Sequence, residues 1–102
     1  MPYMDTTTFK ATLSEAQPPA ELSLMLQALW WDAKGDWGKA HECAQALEGT
    51  HDDKAGAAVH AYLHRKEGDA PNAGYWYRRA GKPAFAGSLE AEWDRLVGAL
   101  AG

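Results

Sequence analysis

At 102 residues, 46% of them apolar and 24% charged, the chain is long enough for one hydrophobic core and has the make-up of an ordinary globular domain. A net charge of −4 argues against a general nucleic-acid binder, which carries a basic footprint, and makes RNA stacking a minor option. The single cysteine, Cys43, excludes an intramolecular disulfide and fits a reducing compartment.

MPYMDTTTFK lacks the basic start and apolar centre of a signal peptide, and LSLMLQALWW is too short to span a bilayer and contains Ser23 and Gln27. The expectation is a cytoplasmic protein with no membrane segment. Five tryptophans are many for this length, and each buries on the order of 200 Å², so they are expected to dominate the core or an interface.

Residues 1–18 read as an N-terminal arm, with a short helix that Thr8 can cap and that Pro18-Pro19 ends. Pro19 suits the first turn of a new helix running to about Lys34, with Leu22, Met25, Leu26, Leu29 and Ala33 on one face and Leu24, Ala28 and Trp31 on another. Gly35 stops that helix and Asp36 caps the next, roughly 37–47, whose stripe of Ala40, Cys43, Ala44 and Leu47 permits close helix approach. Trp30, Trp31 and Trp37 flank this turn and are expected to staple it.

The acidic turn containing Asp52 and Asp53 opens a third helix, which ends at a second Gly-Asp pair, Gly68-Asp69. A fourth helix spans about 70–80, with Pro71 in its first turn and Gly81 as its stop. Ser88 can cap a final helix striped by Leu89, Trp93, Leu96, Val97 and Leu100. Glu90 and Glu92 read as charges at its start. No segment alternates like a strand, so the fold class is all-α.

The two Gly-Asp stops are 33 residues apart, and aligning them superposes Leu26 on Val59, Ala28 on Ala61 and Ala40 on Ala73. Two helix-turn-helix units at this period indicate a fragment of an α-α superhelix over residues 19–83, with 84–102 as a capping helix of the same domain. Two units are fewer than a solenoid core usually needs, so the ends need covering or a second copy of the chain.

The pattern G-D-x-x-[KN]-A at Gly35–Ala40 and Gly68–Ala73 resembles the turn of a tetratricopeptide repeat. Asp69, Ala73, Trp76, Tyr77, Arg79 and Ala80 resemble the signature of the related Sel-one-like repeats. The first unit carries Cys43-Ala44 where the second carries Trp76-Tyr77. The phrases HAYLHRKEGD and YWYRRAG are also similar to those of a family of short bacterial proteins, a resemblance that implies architecture and no particular activity. The tetratricopeptide resemblance implies a concave groove lined by Tyr62, Arg65 and Lys66 beside Leu29 and Asp32, of the kind that receives peptide ends.

Two candidate sites follow. The first is a basic-aromatic recognition patch of Tyr62, Arg65, Lys66, Tyr75, Arg78 and Arg79, suited to a protein or peptide partner or to a homodimer, since arginine forks and tyrosine hydroxyls hold carboxylates. The second is a metal or small-ligand site at His60, His64 and Glu67, which lie at i, i+4 and i+7 and so share one helix face, with His41 or Asp36 as further ligand and Trp31 and Tyr75 as walls. HAYLH lacks the glutamate of a metalloprotease HExxH, and no serine lies in a G-x-S-x-G setting. No phosphate-cradling glycine loop and no cofactor motif stands out. A helical-repeat interaction module is therefore the leading expectation and a small enzyme or metal-binding protein the alternative.

Overall fold

Turn chemistry sets the architecture. The computed structural model describes residues 5–50 and 53–101, the side chains of 100 and 101 apart, and among these it contains six α-helices and no strand. They are α1 (Thr6–Ala11), α2 (Leu24–Ala33), α3 (Trp37–Gln45), α4 (Asp53–Lys66), α5 (Ala70–Ala80) and α6 (Leu89–Ala101), with a single 3-10 turn (Thr12–Ser14) after α1.

Each Gly-Asp pair ends one helix and begins the next. Gly35 and Gly68 adopt φ of 86° and 88°, the left-handed conformation that a side chain disfavours. Behind them the helix carbonyls close in the same way: Gly35 N–H to Asp32 O and Asp36 N–H to Trp31 O in one turn, Gly68 N–H to Arg65 O and Asp69 N–H to His64 O in the other. The aspartate that completes the stop then caps the following helix, Asp36 accepting from Lys39 N–H at 3.0 Å and Asp69 from Asn72 N–H at 3.2 Å. Two helical hairpins, α2–α3 and α4–α5, therefore share one turn design.

The hairpins pack through α4, and α6 lies across α2 and α4 while also meeting α1. Gly56 lets α4 approach the end of α3: a Cβ there would meet Leu47 Cβ at 2.9 Å. The main core joins Phe9, Leu26, Leu29, Trp30, Val59, Leu63, Trp93 and Val97. A second cluster of small residues and two rings, Ala57, Ala58, Ala61, Ala73, Trp76, Tyr77 and Ala80, fills the α4–α5 hairpin. Trp30 Nε1 donates to Thr12 Oγ1 at 3.1 Å and Trp93 Nε1 to Leu29 O at 3.0 Å, so these buried indoles leave no N–H unpaired.

Three local expectations change. The first helix is capped by Asp5, not Thr8, because Asp5 Oδ1 accepts from Thr8 N–H at 2.8 Å. α2 starts at Leu24 rather than Pro19: Leu22 N–H closes a turn on Pro19 O, and Ser23 Oγ then caps the helix through Leu26 N–H. Trp37 does not staple its own turn but crosses to α4, donating Nε1 to Leu63 O at 2.9 Å. Glu92 stands in the first turn of α6 as expected, and it is buried there, at 3% exposed. Ser88 does cap α6, through Ala91 N–H. Residues 1–4, Asp52 and the side chain of Leu100 lie outside the described residues.

Substituting Gly68→Ala forces a side chain into the left-handed region and is expected to cost about 1–2 kcal/mol. Gly74→Ala, within α5 and with Arg78 Nη1 its nearest atom at 3.5 Å, is expected to raise stability by up to ~1 kcal/mol. Urea midpoints of the two variants, moving in opposite directions, check this.

Candidate functional site

The Gly-Asp turn that starts α3 places Trp37 and His41 one turn apart, on the side facing α4. Their rings stack, with centroids 4.8 Å apart. His41 meets His60 and His64 edge-on at 4.6 and 5.3 Å, while His60 and His64, one turn apart on α4, lie parallel at 5.5 Å. Trp76 of α5 covers the outer face of His60 at 3.9 Å, and the Arg79 guanidinium lies over Trp76 at 5.2 Å. Three imidazoles thus meet between two indoles.

One ring nitrogen from each of His41, His60 and His64 lies within 4.8 Å of the others. His60 Nε2 and His41 Nε2 are 3.0 Å apart, so one of them carries the shared proton. His60 is 1% exposed, and its Nδ1 is buried without a partner. A buried lone pair is the cheaper group to leave unpaired than a buried N–H, which assigns the proton to His60 Nε2 and makes His41 the acceptor. His64 Nδ1 donates to Glu67 Oε2 at 2.5 Å, which places a proton on that nitrogen. The Asn72 amide sits beside both nitrogens of His64 at 3.4 and 3.5 Å.

Burial pushes the His60 pKa down to about 4, helped by the neighbouring His41, His64 and Arg79. Burial also lowers that of His41, with His64 adding to the effect. His60 and His41 are consequently held neutral near pH 7, the form in which imidazole ligates metals. Asp36, the other ligand considered from sequence, is instead occupied in capping α3. His64, Glu67 and Asp69 make a second, more exposed group of donors that shares His64.

The basic-aromatic residues do not come together as one patch. Tyr62 is 3% exposed and donates its hydroxyl to Asp32 Oδ2 at 2.7 Å, while Lys66 Nζ holds Asp32 Oδ1 at 2.8 Å. Arg65 pairs with Glu92 at 2.8 Å and also donates to Gly87 O, and Tyr77 donates to the other Glu92 oxygen at 2.5 Å. Burial, with these acceptors, raises the pKa of both tyrosines. α6 packs along the expected groove, its Trp93 bonding Leu29 O and its Glu92 taking Arg65, and a cleft of about 420 Å³ remains beside Asp32, Tyr62 and Lys66.

Tyr75 and Arg79 bond each other at 3.2 Å, and Arg79 pairs with Asp53 at the start of α4. Twelve residues of helix, about 18 Å, separate that point from Arg65. Tyr75 is the exposed member of the aromatic triplet at 44%, and Arg78 is exposed as well. Neither expected wall lines the imidazoles directly: Trp31 packs edge-on to Trp30 beneath the Lys39 ammonium, and Tyr75 meets the edge of Trp76.

Sequence reasoning missed Asn72 and the covering role of Trp76, whose spacing from His60 carries no local periodicity. The chain matches no family model, no curated protein and no solved structure.

Because an unfolded His60 titrates near pH 6.5 and the folded one near 4, the unfolded state binds the extra proton between those values. Stability is therefore full above pH 6.5 and is expected to fall as pH drops through the window, by at most about 1.4 kcal/mol per pH unit from this residue. Urea unfolding in chelator-treated buffer at pH 7 and pH 5, with His60→Gln reducing the difference, checks the sign.

Proposed function

We propose that the protein is a binding domain for a divalent transition metal, of which Zn²⁺ is the natural probe, held by His41, His60 and His64. The observation that supports this reading is the convergence of three imidazole ring nitrogens within 4.8 Å from two helices. Zinc–nitrogen bonds of about 2.0–2.1 Å in a tetrahedral site put the nitrogens ~3.3 Å apart, close to the 3.0 Å between His41 and His60. In this reading the metal would take the place of the proton those two share, and His60, to stay neutral, would carry its proton on Nδ1 instead. Glu67 on the far side of His64 supplies the carboxylate support that metal-bound histidines usually have. Three protein ligands would leave a fourth position to water or to a donor from outside, and the Asn72 amide lies beside His64.

On this reading Zn²⁺ at a hundredfold excess over Kd stabilises metal-free protein by about 2.7 kcal/mol, a rise in Tm of ~10 °C or more for a domain of this size. His41→Ala, at the half-buried rim, is expected to abolish the response and leave the helical circular dichroism intact. A metal-free protein whose Tm ignores Zn²⁺ would reject the reading.

A second reading is a protein-interaction or self-assembly module, supported by Tyr75, the most exposed large aromatic side chain among the described residues, beside Arg78 and Arg79. Sedimentation of wild type and Tyr75→Ser tests it: self-assembly through this surface gives a dimer that the variant loses. The shared Gly-Asp turn at a 33-residue spacing supports the tetratricopeptide-like reading of the hairpins. We read the domain as cytoplasmic on the strength of its lone Cys43, whose thiol pKa burial raises, and as a binder in preference to an enzyme.

A further inference from the structure

A cavity of about 340 Å³ lies between the α4–α5 hairpin and α6. Its walls are alanines from three helices (Ala55 and Ala58 of α4, Ala80 of α5 and Ala99 of α6) together with Leu96 and the rings of Tyr77 and Phe85. Side chains too short to meet leave the space open, and its volume falls at the lower end of small-ligand pockets.

The charges around it are one-sided. Of the ten lysines and arginines, five are paired with carboxylates: Lys10, Lys39, Arg65, Lys66 and Arg79. Lys34 rests on the carbonyls of Leu13 and Glu15. Four cations then have no acidic partner among the described residues, namely Lys54, Arg78, Lys82 and Arg95, and three of these four line the cavity. The one acid in its lining, Glu92, is buried and has both oxygens taken by Arg65 and Tyr77. In a chain of net charge −4, an apolar pocket ringed by three unneutralised cations is selective for an apolar body with a negative head.

From this geometry we infer that the cavity between α4, α5 and α6 binds a small amphipathic anion, an alkyl or aryl carboxylate, with its apolar part against Ala58, Ala80 and Leu96 and its carboxylate at Lys54, Lys82 and Arg95. The site shares no residue with the histidine cluster, so it stands whether or not a metal binds there.

The test is an amide-shift NMR titration of the full chain, in the presence of a chelator, with octanoate, octanol and octylammonium below their micellar concentrations. Saturable one-to-one binding of octanoate is expected, with shifts centred on Ala55, Ala58, Ala80 and Ala99 and affinity at least tenfold above that of octylammonium. The exposed double variant Lys82→Gln/Arg95→Gln is expected to weaken octanoate at least tenfold and to leave octanol unchanged. Ala80→Leu, which fills the cavity, is expected to weaken both. Equal binding of the three ligands, or octanoate shifts scattered over the surface, would overturn the proposal. So would a concentration-dependent dimer, or cosedimentation with anionic vesicles, that buries the same alanines in place of octanoate.

Discussion

Helix α4 is buried without interruption from Gly56 to His64, although that run carries His60, Tyr62 and His64 among its apolar residues. A buried polar group without a partner costs on the order of 1–3 kcal/mol, so each of these side chains dictates what must stand opposite it. Tyr62 requires an acceptor and receives Asp32 from α2; His64 receives Glu67 from the end of its own helix; His60 receives His41 from α3. The positions of the surrounding helices follow from meeting these demands together with the apolar contacts, and the one demand left open, His60 Nδ1, lies in the candidate site.

The same helix explains why the basic side chains at its end are already engaged. Tyr62, Arg65 and Lys66 project toward α2 and α6, whose carboxylates, Asp32 and Glu92, are both 3% exposed. Burying either acid alone is unfavourable, but each here holds a cation and a tyrosine hydroxyl, which satisfies both oxygens. Replacing Arg65 or Lys66 leaves a buried charge behind, so loss of partner binding on such a change cannot by itself mark an interface.

What the sequence disclosed tracks how local the determining interaction is. The Gly-Asp stops and the Asp36 and Ser88 caps depend on neighbours within about a turn of helix, and their reading carried to the structure. The pairing of His60 with His64 was legible for the same reason. Choosing His41 over Asp36 was not, because it depends on the register of α3 against α4, set by Gly56 near Leu47. Asp32 was placed beside Tyr62, Arg65 and Lys66 only through the repeat resemblance, and Glu92 was missed as the partner of Arg65 because it lies 27 residues away. The start of α2 was misjudged between two competing local signals, Pro19 and Ser23, of which only the serine side chain reaches an unpaired N–H.

The three-residue connections at Lys34–Asp36 and Glu67–Asp69 bear on the order of folding. Closing them costs little chain entropy, so each hairpin can form from contacts near in sequence. α6 differs: its anchors reach back 27 residues from Glu92 to Arg65 and 64 from Trp93 to Leu29. The hairpins are the natural early structure and α6 the element that docks late, so damage at the Gly-Asp turns slows folding whereas damage at Glu92 or Trp93 mainly speeds unfolding. The lifetime of the native state is thereby set at the end of the chain farthest in sequence from the residues that anchor it.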